Sequence, residues 1–139
     1  MTAHSSGGPV VVTGAGGFIG SHLVEALVAA GHPVRALVHY NGAGSHGWLD
    51  TFDPDQLAGV EVVAGDIRDR GMVQRLVDGA STVYHLAALG GIPYSYLAPQ
   101  SYVDTNITGT PTCWRARRPV AASSSPPPAR CTGRPPRSR

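Results

Sequence analysis

The stretch VVVTGAGGFIGSH, residues 10–22, constrains the fold of this chain more than any other. Val10 to Thr13 is a short apolar, β-branched run, as expected of a strand buried on both faces of a sheet. Gly14, Gly16 and Gly17 follow, and a helical period then begins in which Ile19, Leu23, Ala26, Leu27 and Ala30 share one face. A strand, a glycine turn and a helix in this order, with Gly14, Gly17 and Gly20 three residues apart, suit the cradling of a pyrophosphate. Gly14 allows the tight turn, Gly17 lets the backbone approach the phosphates, and Gly20 lets the helix pack closely. The unpaired N–H groups of Phe18, Ile19 and Gly20, at the positive end of the helix dipole, then face the anion.

The rest of the chain repeats the alternation. Gly31 is placed to end the first helix in a left-handed cap. Val34–Val38 and Val60–Ala64 read as further buried strands, and Thr82–Leu86 as a fourth strand. Asp69 is placed to cap a helix whose Met72, Val73, Leu76 and Val77 face inward. Gln100–Thr110 opens another helix. Strands alternating with helices predict an α/β fold, the N-terminal half of a Rossmann-type doubly wound parallel sheet in order 3-2-1-4. That order leaves the fourth strand as an uncovered edge. The long loop Tyr40–Gln56 carries Trp48, Leu49 and Phe52 and is read as functional. The six histidines show no metal-ligand spacing, and His85, inside a strand, reads as a packed and satisfied histidine.

Because position 19 is Ile, the turn departs from the common G-x-G-x-x-G pattern. TGAGGFIG as it stands resembles the extended short-chain dehydrogenase/reductase family of NAD-dependent epimerases and dehydratases. GDI at 65–67, VYHLAAL at 83–89 and TNITGT at 105–110 match that family's later motifs in order, so the resemblance covers about residues 9–110. It implies that Gly14, Gly17, Phe18, Ile19 and Gly20 hold a pyrophosphate and that Asp66 and Ile67 face adenine. It also implies that Leu86, Ala87 and Ala88 line the path to a nicotinamide. RALVHYNGAGSHGWLD and LGGIPYSYLAPQSYVDTN further resemble nucleotide-sugar 4,6-dehydratases acting on UDP-N-acetylhexosamines or similar sugars. In that reading the 40–56 loop sits near the adenosine ribose, and Ile92–Ser95, with Tyr94 and Ser95 as candidate substrate contacts, lies towards the sugar nucleotide. NAD is the expected cofactor. NADP stays open, because His39-Tyr40-Asn41 stands where NAD-binding folds carry a carboxylate, and His39 tolerates a 2′-phosphate. A full-length relative is expected to be a homodimer acting on a nucleotide sugar.

The family's catalysis uses a Tyr-x-x-x-Lys pair downstream of TNITGT, in which the Lys lowers the Tyr pKa. All eleven Lys and Arg residues of this chain are Arg, so the pair is absent and no catalytic residue is assigned. None of Tyr40, Tyr84, Tyr94, Tyr96 or Tyr102 occupies the matching position. The expectation is a cofactor-binding fragment of such an enzyme; the alternative is a non-catalytic module that binds or senses dinucleotide.

Composition changes sharply at Thr110. Residues 1–110 hold all nine acids and four arginines, whereas residues 111–139 hold seven Arg, seven Pro and no acid. This Arg/Pro-rich tail reads as disordered or out of frame. Back-translated as CCA ACG TGC TGG, Pro111-Thr112-Cys113-Trp114 read from the third base gives Asn-Val-Leu, as the family has there. Ala129–Gly133, at the same offset, gives Glu-Val-Tyr-Gly. A slip of reading frame near Thr110 accounts for both, and accounts for the tail better than an arm binding nucleic acid does. The basic pI of 8.8 therefore belongs to the tail. Residues 1–9 show no secretory pattern, no apolar run approaches a membrane span, and both cysteines lie in the tail, so a cytoplasmic protein is expected.

Overall fold

The computed structural model describes residues 7–116 of the 139-residue chain. Strands β1 (Val10–Thr13), β2 (Val34–His39), β3 (Val60–Gly65) and β4 (Thr82–His85) pair in parallel in the order β3-β2-β1-β4. The register sets Val12 beside Ala36 on one side and Tyr84 on the other. Helix α1 (Phe18–Ala29) joins β1 to β2, and α2 (Arg70–Val77) joins β3 to β4. Short helices α3 (Ile92–Leu97) and α4 (Pro99–Tyr102) lead through a wide π-helical turn, Val103–Thr108, into α5 (Gly109–Ala116). The expected parallel sheet and its strand order are present.

Two apolar layers sandwich the sheet. On one face Val12, Ala36, Val38 and Val24 pack with Leu49 beneath α1 and the loop that follows β2. On the other Val11, Leu37, Val73, Leu76, Val77 and Cys113 pack beneath α2 and α5. Val11 and Val12 are wholly buried, as expected of adjacent residues in a strand covered on both faces.

The ends of α1 and α2 follow from single residues. Gly31, at φ +81°, closes α1: its N–H bonds to Val28 O, and that of His32 bonds to Leu27 O. Asp69 caps α2 by accepting from Met72 N at 3.0 Å. The inward face of α1 differs from the one read in sequence. Ile19 is 70% exposed and Ala26 is exposed, while Gly20, Ser21 and Val24 are buried. A Cβ at Gly20 would stand 2.1 Å from Gly14 O, so this contact sets the roll of the helix and carries Ile19 outward.

The boundary read at Thr110 is not a break in secondary structure. Helix α5 crosses it to Ala116, and Thr112 and Cys113 are buried. Residues 111–116 are therefore helical, whereas the remainder of the expected tail, 117–139, lies outside the described residues, as does the Ala129–Gly133 reading. Strands β3 and β4 are the two edges of the sheet. No residue of β3 is buried, against the buried strand read at Val60–Ala64, because an edge strand has a neighbour on one side only. On the β4 side Tyr84 and Leu86, on the α1 face, are each 41% exposed.

Candidate functional site

The carboxyl ends of all four strands open on one cavity of about 530 Å³. Ligands of open parallel sheets sit in this position, because the loops leaving the strands diverge there.

Its floor is the glycine turn, where Gly14, Gly16 and Gly17 line the cavity. Gly14 sits at φ +72°, and a Cβ there would lie 2.7 Å from Ala87 N. Turn and opposite wall therefore meet as bare backbone. Gly17 is the extended N-cap of α1 and offers no side-chain cap, which leaves the first-turn N–H groups without an intrahelical or capping acceptor.

One wall is the loop after β2. Asn41 shapes it: Oδ1 accepts from Ala43 N and Ser45 N, and Nδ2 donates to Ser45 O at 2.7 Å. Asp50 accepts from Ser45 Oγ at 2.8 Å and His46 N at 2.9 Å, and these bonds hold its carboxyl below the usual carboxylate range. The loop is seated directly on the glycine turn. Trp48 N donates to Gly16 O at 2.9 Å, and a Cβ at Gly16 would stand 2.7 Å from His46 O. A Cβ on Gly47 would stand closer still, 2.3 Å from Gly16 O, and Leu49 plugs into the core below.

At the end of β3, Arg68 Nε donates to both oxygens of Asp66, at 3.0 and 2.9 Å. The Arg68 hydrogen bonds keep the Asp66 carboxyl below its ordinary range. Ile67 is buried and would meet any Cβ placed on Gly109 of α5. The last wall is Leu86 to Leu89, with Tyr94, Ser101 and Thr105 at its far end.

Gly14, Gly17, His39, Asp66, Ile67, Leu86, Ala87, Ala88 and Tyr94 are thus brought together around one cavity. Phe18 and Ile19 are not part of its lining; their side chains are exposed, and only their backbone belongs to the turn. Gly20 packs against Gly14 rather than facing the cavity. Ser95 is separated from Tyr94, since its hydroxyl donates to Ile92 O at 2.7 Å inside its own helix. Sequence reasoning missed Gly16, Gly47, Asn41 and Arg68. The glycines and Asn41 stood in stretches already singled out, but nothing local pairs position 16 with position 47. Among the described residues no group of His, Cys, Asp and Glu is arranged to hold a metal, and no helix is long and apolar enough to cross a membrane.

Residues 11–125 match the family model described as GDP-mannose 4,6 dehydratase, a match that also runs past Thr110. The chain belongs to the extended short-chain dehydrogenase/reductase family. Within that family, UDP-glucuronate 4-epimerase 1 of Arabidopsis thaliana is 38% identical over 118 residues, which are 76% of this chain and 26% of that protein. UDP-N-acetyl-alpha-D-glucosaminuronate decarboxylase of Bacillus cytotoxicus is 33% identical over 102 residues, 72% of this chain and 30% of that protein. The chain thus spans between a quarter and a third of the length of these relatives. The dTDP-glucose 4,6-dehydratase DesIV from Streptomyces venezuelae, solved with NAD bound, superposes with a TM-score of 0.65 at 33% identity, over 78% of this chain and 35% of that one.

Proposed function

We propose that this chain is the dinucleotide-holding part of an NAD-dependent nucleotide-sugar dehydratase or epimerase, with 4,6-dehydration favoured, and that it binds cofactor without turning over a sugar. The observation carrying this reading is the glycine turn, where Gly14, Gly16 and Gly17 line the cavity without side chains ahead of the uncapped first turn of α1, as a pyrophosphate requires. The backbone of Gly14 and Gly17 and the N–H groups of Phe18, Ile19 and Gly20 would hold the pyrophosphate. Asp66 and Ile67 would meet adenine, and His39 with the Asn41–His46 loop would flank the ribose. Leu86, Ala87 and Ala88 would line the way to the nicotinamide, with Tyr94 on the side of the nucleotide sugar. When bound, the dinucleotide supplies the hydride acceptor and donor of this family's chemistry.

The choice of NAD over NADP rests on the same wall. Among the described residues Arg68 is the one guanidinium of the lining, and it is already engaged with Asp66, so a 2′-phosphate would compete with that carboxylate. The absence of Lys from the whole chain supports binding without catalysis. Calorimetric titration of the full chain tests the reading. Saturable NAD binding tighter than that of NADP, with UDP- and dTDP-sugars left unconsumed, is expected. Lack of saturable binding by either dinucleotide overturns it, and sugar turnover overturns the non-catalytic part. Sequencing the gene from the Gly109 codon onward tests the frame slip. A one-base shift restoring Tyr-x-x-x-Lys supports it, and a clean frame overturns it.

A further inference from the structure

The cofactor reading gives His85 no role, yet its ring lies behind the wall that the reading uses. Thr13, wholly buried at the end of β1, accepts at its hydroxyl from Ala87 N and Leu86 N, both at 3.2 Å, and Leu86 N is shared with the Thr13 carbonyl at 3.1 Å. Thr13 Oγ1 lies 2.8 Å from His85 Nδ1, and the Thr110 end of the ring sets the direction, because the Thr110 hydroxyl gives its proton to Asn106 O and leaves Nε2 as the donor to Thr110. Nδ1 is then the bare nitrogen of a neutral ring, and the proton sits on Nε2, which donates to Thr110 Oγ1 at 3.2 Å. Thr110 in turn donates to Asn106 O at 2.8 Å. The Asn106 side chain closes the circuit on Leu89, accepting from its N–H at 2.8 Å and donating to its carbonyl at 3.1 Å. These bonds form one network. It links β1, the wall and the helical segment that carries Asn106 and Thr110.

We propose that His85 is a positioning residue, whose hydrogen bonds to Thr13 and Thr110 clamp the Leu86–Leu89 wall at its approach to the glycine turn. The clamp itself is independent of any ligand; only its consequence for affinity rests on the dinucleotide reading. Burial alone pushes the His85 pKa down, in keeping with a neutral ring.

Amide hydrogen exchange, followed by mass spectrometry on the dilute full chain, tests the clamp. In His85→Leu, exchange over 86–89 should rise about tenfold, the scale of one lost hydrogen bond, with β1 and β2 unchanged. His85→Asn, which returns an acceptor near the place of Nδ1, should restore protection. Unchanged exchange over 86–89 in His85→Leu overturns the proposal. Should His85→Leu loosen the whole sheet, Thr110→Val decides: faster exchange confined to 86–89 supports the clamp, and none overturns it. NAD affinity of His85→Leu should fall about tenfold in parallel. If the unsubstituted chain binds no dinucleotide, the cofactor reading fails, while the exchange result still decides the clamp.

Discussion

The two flanks of the sheet are built in opposite ways. On the β2–β3 side the loop leaving β2 folds back over the α1 face, drops Leu49 into the core and rests on the glycine turn. On the β4 side the same face of the sheet ends in half-open Tyr84 and Leu86, while on the opposite face Val83 and His85 are half-buried, Val83 against the core that includes Cys113 of α5 and His85 bonded to Thr110. Both flanks begin from runs that read as strands in the sequence. Burial therefore depends on whether a later segment returns to cover the run, and local hydrophobicity does not specify that return.

Substitutions can break this contrast, and the largest effect is expected at Leu49. Leu49→Ala should cost about 2–5 kcal/mol, because it empties a fully buried site under the loop; urea melts measure it. Gly20→Ala comes next, at about 1–3 kcal/mol, since the new methyl must displace the Gly14 carbonyl 2.1 Å away. Asp69→Ala removes the α2 cap and should cost about 1 kcal/mol, lowering the melting midpoint modestly. A pH effect should appear on the β4 side. His85 is held below its ordinary pKa of 6.5 when folded, so the unfolded chain takes up its proton first as pH falls. Stability is then full above pH 6.5 and declines below it, and His85→Asn should flatten the decline in melts at pH 7.5 and 5.5. The smallest change in stability is expected at Tyr84→Lys on the open face, within about 0.5 kcal/mol. That variant should nonetheless reduce self-association at high concentration, as light scattering would show, because a charge blunts an exposed edge. If Tyr84→Lys instead destabilised the chain as much as Leu49→Ala, the contrast between the flanks would collapse.

What the sequence made legible was whatever is decided within a few residues. The four strands, the Gly31 and Asp69 caps and the inward face of α2 depend on near neighbours, and each is where the pattern put it. The roll of α1 was not legible, because Gly20 meets Gly14 through the turn rather than along the helix. The seating of Gly47 on Gly16 was hidden for a related reason: no periodicity joins two glycines that far apart in the chain. At the far end of the cavity, Tyr94 and Ser95 were read as a pair, but adjacent residues on a helix point about 100° apart. Only Tyr94 reaches the lining. Thr13 looked like one more β-branched strand residue, yet its hydroxyl organises the start of the β4 wall.

The apposition of Gly16 and Gly47 also bears on the timing of ligand entry. With the two backbones too close for a Cβ at either glycine, and Trp48 N bonded to Gly16 O, the loop is already seated on the glycine turn and does not stand off it like an open lid. The ordering entropy of that loop is lost when the chain folds, not when a ligand docks. Ligand capture should therefore be a single bimolecular step, with an observed rate that rises linearly with ligand concentration and shows no plateau from slow closure.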